Sequence, residues 1–271
     1  MKAFFVLLAT GIVMLAQTPP PAKPAAPATK SAAPAAKAPA VNPLLHPETL
    51  KARAPEEFTV KFTTTAGDFV VTVHRAWAPL GADRFYNLVR SRFFTNAAFF
   101  RVLPGFIVQF GLNPDPKVNS AFDNAYIKDD PMKPGISNKL GTLVYAQGGP
   151  NTRSTQLFIN LANNGPALDN QPGGFPPFGE VTEGMDVVKN IYSGYGGDPS
   201  IPDPGGRGPR QNLVGSQGKP YLDKNFPLLT VIKSATVVPA AGAAIPATKS
   251  TSSATKSTLP ATKSTSAPPK K

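Results

Sequence analysis

The stretch Phe99-Phe100-Arg101-Val102-Leu103-Pro104-Gly105-Phe106-Ile107-Val108-Gln109 sets one arginine inside an almost wholly apolar run, with no polar side chain to balance it until Gln109. A strand that sinks Val102, Leu103, Phe106 and Ile107 into a core would carry Arg101 out to solvent. An arginine kept instead at the rim of an apolar pocket becomes a directed donor beside a greasy surface. That arrangement fits a substrate that is apolar but must receive one hydrogen bond. The run by itself leaves both readings open.

Two more stretches extend the pattern. Gly149-Pro150-Asn151-Thr152-Arg153-Ser154-Thr155-Gln156-Leu157-Phe158-Ile159-Asn160 is a polar turn running into an apolar strand. Phe178-Gly179-Glu180-Val181-Thr182-Glu183-Gly184-Met185-Asp186-Val187-Val188 reads as a strand end, a turn and a helix start. In this order and spacing the three stretches resemble the cyclophilin family of peptidyl-prolyl cis-trans isomerases. The family's runs look like F-x-R-x-x-P-G-F-x-x-Q-x-G, then A-x-x-G-P-x-T-x-x-x-Q-F-F-I, then F-G-x-V-x-x-G-M. The resemblance covers roughly residues 58–238.

Composition bounds the rest of the chain. Met1-Lys2-Ala3 followed by an apolar run from Phe4 to Ala16 describes a secretory signal over residues 1–17, with cleavage near Ala16 or Gln17. The run is short for a bilayer span, although an uncleaved N-terminal anchor is the competing reading. Periplasmic or secreted localisation is the expectation. The chain has no cysteine, which excludes thiol catalysis, disulfides and thiolate metal sites.

The net charge of +12 resembles a nucleic-acid signal until its distribution is read. Lys2, Lys23, Lys30 and Lys37 at one end, and Lys249, Lys256, Lys263, Lys270 and Lys271 at the other, stand without acids and hold nine of those charges. The middle is left near neutral. Residues 18–46 and 240–271 have no aromatic residue to stack on bases, so nucleic-acid binding is not expected. Diffuse cations of this kind imply weak, salt-sensitive contact with an anionic envelope surface.

Residues 18–46, rich in Pro, Ala and Lys, read as a disordered spacer. Residues 240–271 repeat Ala-Thr-Lys-Ser and read as a second disordered tail. Between them, residues 47–239 are long enough for one sizeable domain. Phe58–Phe62 and Phe69–Val73 alternate as strands around an Ala66-Gly67-Asp68 turn. Ala78-Pro79 opens a helix carrying Phe85, Leu88 and Val89 at helical spacing. A second helix starts near Gly184 with Met185, Val188 and Ile191 on one side. The Gly/Pro-rich residues 196–219 read as a long surface loop before a last strand, Leu228 to Val238. Many strands and two helices fit a mainly β fold. The resemblance implies a closed eight-stranded antiparallel β-barrel capped by two α-helices.

Little acid–base chemistry is on offer. The histidines are His46, in the spacer, and His74, at a strand end, and neither lies near a nucleophile motif. Asp129-Asp130 and Glu56-Glu57 read as solvated loop charges rather than metal ligands. No metal and no cofactor is expected. What remains is catalysis without a proton transfer, and prolyl isomerisation is of that kind.

The resemblance implies a role for each of ten residues. Arg101 takes the place of the catalytic arginine. Phe106 and Phe158 would line a proline pocket with Ile107 and Leu168 beside them. Gln109 would bond the substrate backbone or help hold Arg101. Ala146 and Gln147 would form the edge that accepts residues preceding proline, and Gln156 begins the strand that carries Phe158. Phe175 stands where relatives carry a histidine, next to an insertion over residues 170–174. Ala167, before Leu168-Asp169, replaces the tryptophan of eukaryotic relatives, so cyclosporin-type inhibitors are expected to bind poorly. Asn113-Pro114-Asp115-Pro116-Lys117 replaces a glycine-rich loop.

The expected partners are proline-containing unfolded or partly folded polypeptides, met by a monomer that assists folding of exported proteins in the manner of a chaperone. Two rivals stay open at this level: a catalytically weak barrel that only holds proline segments, and an envelope structural protein whose tails matter most.

Overall fold

The computed structural model describes residues 42–203 and 205–238. The signal expected over 1–17, most of the spacer and the 240–271 tail lie outside the described residues.

The alternating runs form the strands they predict. β1 (Glu57–Thr64) and β2 (Asp68–His74) are a hairpin whose buried positions alternate along both strands. Phe62 and Phe69, facing each other in register, stack with ring centroids 4.7 Å apart. Helix α1 (Pro79–Arg90) buries Phe85, Leu88 and Val89 on the same core. The next hairpin is β3 (Arg101–Leu103) and β4 (Ile107–Phe110), followed by α2 (Pro116–Phe122). β5 (Thr142–Tyr145), β6 (Leu157–Asn160), the one-turn α3 (Gly165–Leu168), β7 (Gly179–Glu183) and α4 (Met185–Lys189) come next. α5 (Gln211–Asn225) and β8 (Ile232–Val238) complete the order.

Among the described residues all eight strands belong to one antiparallel sheet, ordered β3-β4-β6-β5-β7-β2-β1-β8. The closed barrel expected from the sequence is corrected to an open half-barrel. Its terminal strands, β3 and β8, share no ladder. Only an Ala98–Val231 bridge and neighbouring backbone bonds join the segments leading into them. β3 is three residues long, and the carbonyl of Gly196 accepts from Val102 N on its outer edge, so the loop after α4 occupies that edge.

The helices also depart from expectation. α1 and α4 are the two foreseen, but α5, two short helical pieces that meet at a break at Gly218, runs through part of the stretch read as loop. Gly218 has non-helical φ/ψ and separates the two pieces, with Pro220 at the start of the second. Val214 and Leu222 nevertheless bury against Ala98, Phe100 and Leu229 as a second small core. Gly218 takes φ +62 at this break, where a Cβ would strike the Pro114 carbonyl.

Two further corrections concern burial. Leu44, placed by composition in the spacer, is buried in the main core. Asp130, read as solvated, is 3% exposed. It accepts from Leu80 N and Gly81 N at the start of α1 (3.0 and 2.9 Å) and from Arg153 Nη1 at 3.1 Å. Arg153 is itself 1% exposed, and also donates to Asp129 Oδ1 at 3.1 Å and to the Lys128 carbonyl.

Candidate active site

The β3–β4 hairpin sets the site's geometry. Pro104 and Gly105 make the turn, closed by Phe106 N donating to the Leu103 carbonyl at 3.0 Å. Gly105 has φ +74, which a proline–glycine turn of this kind requires. The register that follows sets Arg101 opposite Gln109, Val102 opposite Val108 and Leu103 opposite Ile107. Because side chains alternate, Val102 and Val108 enter the main core while Arg101, Leu103, Ile107 and Gln109 share the other face. Leu103 therefore goes with the arginine, not into the main core as first read. The same alternation sends Leu157 and Ile159 of β6 inward and Phe158 outward, opposite Gln109.

These outward residues make a second apolar cluster. Ile107, Val144 and Phe158 are buried at its base, and Phe106, Ala146, Leu168 and Phe175 close it. Phe158 and Phe175 meet edge to face, centroids 5.9 Å apart. All ten residues singled out in the sequence line one cavity of about 1230 Å³. Arg101 stands at the polar side of this cavity. Its Nη1 donates to Gln109 Oε1 at 2.9 Å, and Gln109 Nε2 donates onward to Gln156 Oε1 at 2.8 Å. Gln147 turns its amide to the inserted loop, donating to the Gly174 carbonyl at 2.6 Å.

A polar layer behind the apolar cluster was not legible in advance. Asn164 Nδ2 donates to the Phe106 carbonyl (2.7 Å) and to Asn160 Oδ1 (2.7 Å). Asn138 Nδ2 donates to the Phe175 carbonyl (2.9 Å) and to Asp169 Oδ1 (2.8 Å). Burial works to raise the Asp169 carboxyl. Donors from the Ser137 hydroxyl and from the side chain and backbone of Asn138 outweigh it and hold the group below the usual carboxylate range. Three asparagines and one aspartate thus pin the backbone of the aromatic walls. Only their separation in the chain, 138 against 160–169, hid them.

The largest surprise is Asp203. It lies in the Gly/Pro-rich loop and binds the guanidinium with both oxygens: Arg101 Nε donates to Oδ2 at 2.6 Å and Nη2 to Oδ1 at 2.5 Å. The two side chains are 13% and 6% exposed. No local pattern pointed to it, since it is 102 positions from Arg101.

Comparison with known proteins identifies the family. Residues 59–204 match the family described as cyclophilin type peptidyl-prolyl cis-trans isomerase/CLD. The peptidyl-prolyl cis-trans isomerase of Acinetobacter baylyi is 31% identical over 159 residues, covering 56% of this chain and 84% of that protein. Peptidyl-prolyl cis-trans isomerase B of Escherichia coli is 34% identical over 139 residues, covering 49% and 82%. A crystal structure of a cyclophilin-type isomerase from Cryptosporidium parvum in the presence of the dipeptide Ala-Pro aligns with a TM-score of 0.47 at 20% identity, over 67% of this chain and 99% of that one. With the family match spanning more than half of its length, the chain belongs to the cyclophilin-type peptidyl-prolyl cis-trans isomerases.

Proposed function

We propose that this isomerase accelerates X–Pro rotation in unfolded or partly folded exported polypeptides, with Arg101 as the catalytic donor and the Phe106–Phe158 cluster as the proline pocket. The barrier to rotating a peptide bond is about 18–20 kcal/mol because the nitrogen lone pair is delocalised. X–Pro isomers are close in stability yet exchange over tens to hundreds of seconds. A catalyst need only favour the twisted state.

In that state the prolyl nitrogen becomes pyramidal and regains its lone pair. A guanidinium N–H aimed at it gains strength that it lacks toward the planar ground state. The proline ring fills the apolar cluster and excludes water, which strengthens the hydrogen bond further. Arg101 at the edge of a wholly apolar cluster, held by Gln109, is the observation that carries this reading. Gln156 keeps Gln109 in place, and Ala146 with Gln147 forms the rim for residues before proline.

Export rests on the Met1–Ala16 run, and the basic ends supply weak attraction to anionic surfaces. A reporter fused behind residues 1–17 tests the export.

The test of catalysis is proline-limited refolding of a protein client with wild type and Arg101→Ala at equal concentration. Acceleration by wild type, and a loss of order 10²–10³ in a folded Arg101→Ala variant, is the expected result. Equal turnover by the two would remove Arg101 from the mechanism. Acceleration by neither, with retained affinity for proline peptides, would make the domain a binding module.

A further inference from the structure

We infer that Asp203 is a positioning residue for the isomerase reaction: its carboxylate sets the plane of the Arg101 guanidinium so that the donors left over face the proline pocket. The inference rests on the role proposed above for Arg101. An arginine side chain has many rotamers and five N–H donors. Asp203 takes one from Nε and one from Nη2, and Gln109 takes one from Nη1, so two remain. Two parallel bonds from a planar fork to a carboxylate fix a plane, which a single bond to Gln109 does not.

The side from which Asp203 approaches separates positioning from obstruction. Arg101 and Phe106 line two cavities, the groove already described and a neighbouring one of about 620 Å³. Asp203 lines the second and not the first. The carboxylate therefore binds the guanidinium from the side of the second cavity and is not part of the lining of the groove that holds Ile107, Phe158 and Phe175.

The loop around Asp203 is built to hold it. Asp198 N donates to Asp203 Oδ2 at 3.1 Å, and Asp203 N to the Ile201 carbonyl at 2.7 Å. Asp198 in turn accepts from Gln211 N, the first residue of α5, at 2.8 Å. α5 packs through Val214 and Leu222 on the cluster that contains Phe100, the residue before Arg101. Helix, loop, carboxylate and guanidinium thus form one connected support whose far end returns to the strand that carries the arginine.

The experiment is steady-state kinetics on the full chain for wild type, Asp203→Ala, Asp203→Asn, Arg101→Ala and the double variant Arg101→Ala/Asp203→Ala. Thermal unfolding run alongside verifies the fold. Asp203→Ala is expected to lower kcat about ten- to hundredfold, the scale of hydrogen bonds to a charged group, with KM within about twofold. Asp203→Asn, which keeps one acceptor oxygen, is expected to fall between. In the Arg101→Ala background Asp203→Ala is expected to cost nothing more. A merely structural aspartate would cost as much in that background as in wild type, and that result overturns the inference. So does an Asp203→Ala variant as fast as or faster than wild type.

If wild type itself fails to accelerate isomerisation, the functional reading falls, and arginine side-chain NMR still decides the placement. A protected Arg101 Nε–H signal that disappears in Asp203→Ala supports it, and one that persists refutes it.

Discussion

Arg101 and Gln109 face each other across the β3–β4 ladder, and the amide oxygen of Gln109 accepts from Arg101 Nη1 at 2.9 Å. The pair is a consequence of the Pro104-Gly105 turn: a tight turn fixes the register, and the register fixes which side chains meet. Moving the turn by one residue would send the arginine to the core face.

Removing the glutamine therefore perturbs the arginine without touching the apolar pocket. Gln109→Ala is expected to lower kcat about three- to tenfold, the scale of one hydrogen bond, with KM little changed. Steady-state kinetics on a proline peptide series is the check. A rise in KM at constant kcat would mean instead that Gln109 holds the substrate backbone.

Phe106 gives the opposite signature. It is half-buried beside the turn, with its ring on the edge of the apolar cluster rather than in the main core. Phe106→Ala is expected to reduce kcat/KM about tenfold or more, through weaker holding of the proline ring. Its unfolding temperature should stay near that of wild type. A large drop in that temperature would show that the ring is structural.

What the sequence shows of this site follows chain distance. Arg101, Phe106, Ile107 and Gln109 lie in one hairpin, so their nearness is visible in a local pattern, whereas the place of Phe158 beside them is implied only by the family resemblance. The order of the three motifs carries the family. Asp203, Asn138 and Asp130 are invisible locally because their partners lie far along the chain and aspartates in Gly/Pro-rich or polar loops look solvated. α5 was hidden for a different reason. Gly218 breaks it and Pro220 opens its second piece, so neither piece has a long helical pattern, and burial of Val214 and Leu222 holds both in place. The resemblance implies a closed barrel, but it does not reveal that the three-residue β3 gives its outer edge to Gly196.

Arg153 and Asp130 carry a stability prediction distinct from catalysis. Both are buried, and the carboxylate also satisfies the first amides of α1. Arg153→Ala removes the guanidinium partner of the buried Asp130 carboxyl, at an expected cost of about 3–5 kcal/mol. Chemical denaturation should show a lower midpoint at constant slope, while the specific activity of the folded fraction stays within about twofold. Loss of activity without loss of stability would place Arg153 in the reaction instead.

Asp169 makes a pH prediction whose sign is fixed by the direction of its shift. Its folded carboxyl is held below the ordinary value against the pull of burial, by the Ser137 hydroxyl and the Asn138 donors. A group depressed on folding stabilises the fold fully above its unfolded value of about 3.9, and that contribution disappears as pH falls through the folded value. Wild type should accordingly lose unfolding temperature as pH drops below about 4. Asp169→Asn should be less stable than wild type near pH 6, and the difference should shrink toward pH 3. Asn138 links the same carboxylate to the Phe175 carbonyl, so the loss reaches the wall of the apolar pocket. KM for a proline peptide should rise on the same acid limb in wild type, and should be high and flat in Asp169→Asn. A stability gap that does not change with pH would mean that Asp169 acts through its shape and hydrogen bonds alone, with no contribution from its charge.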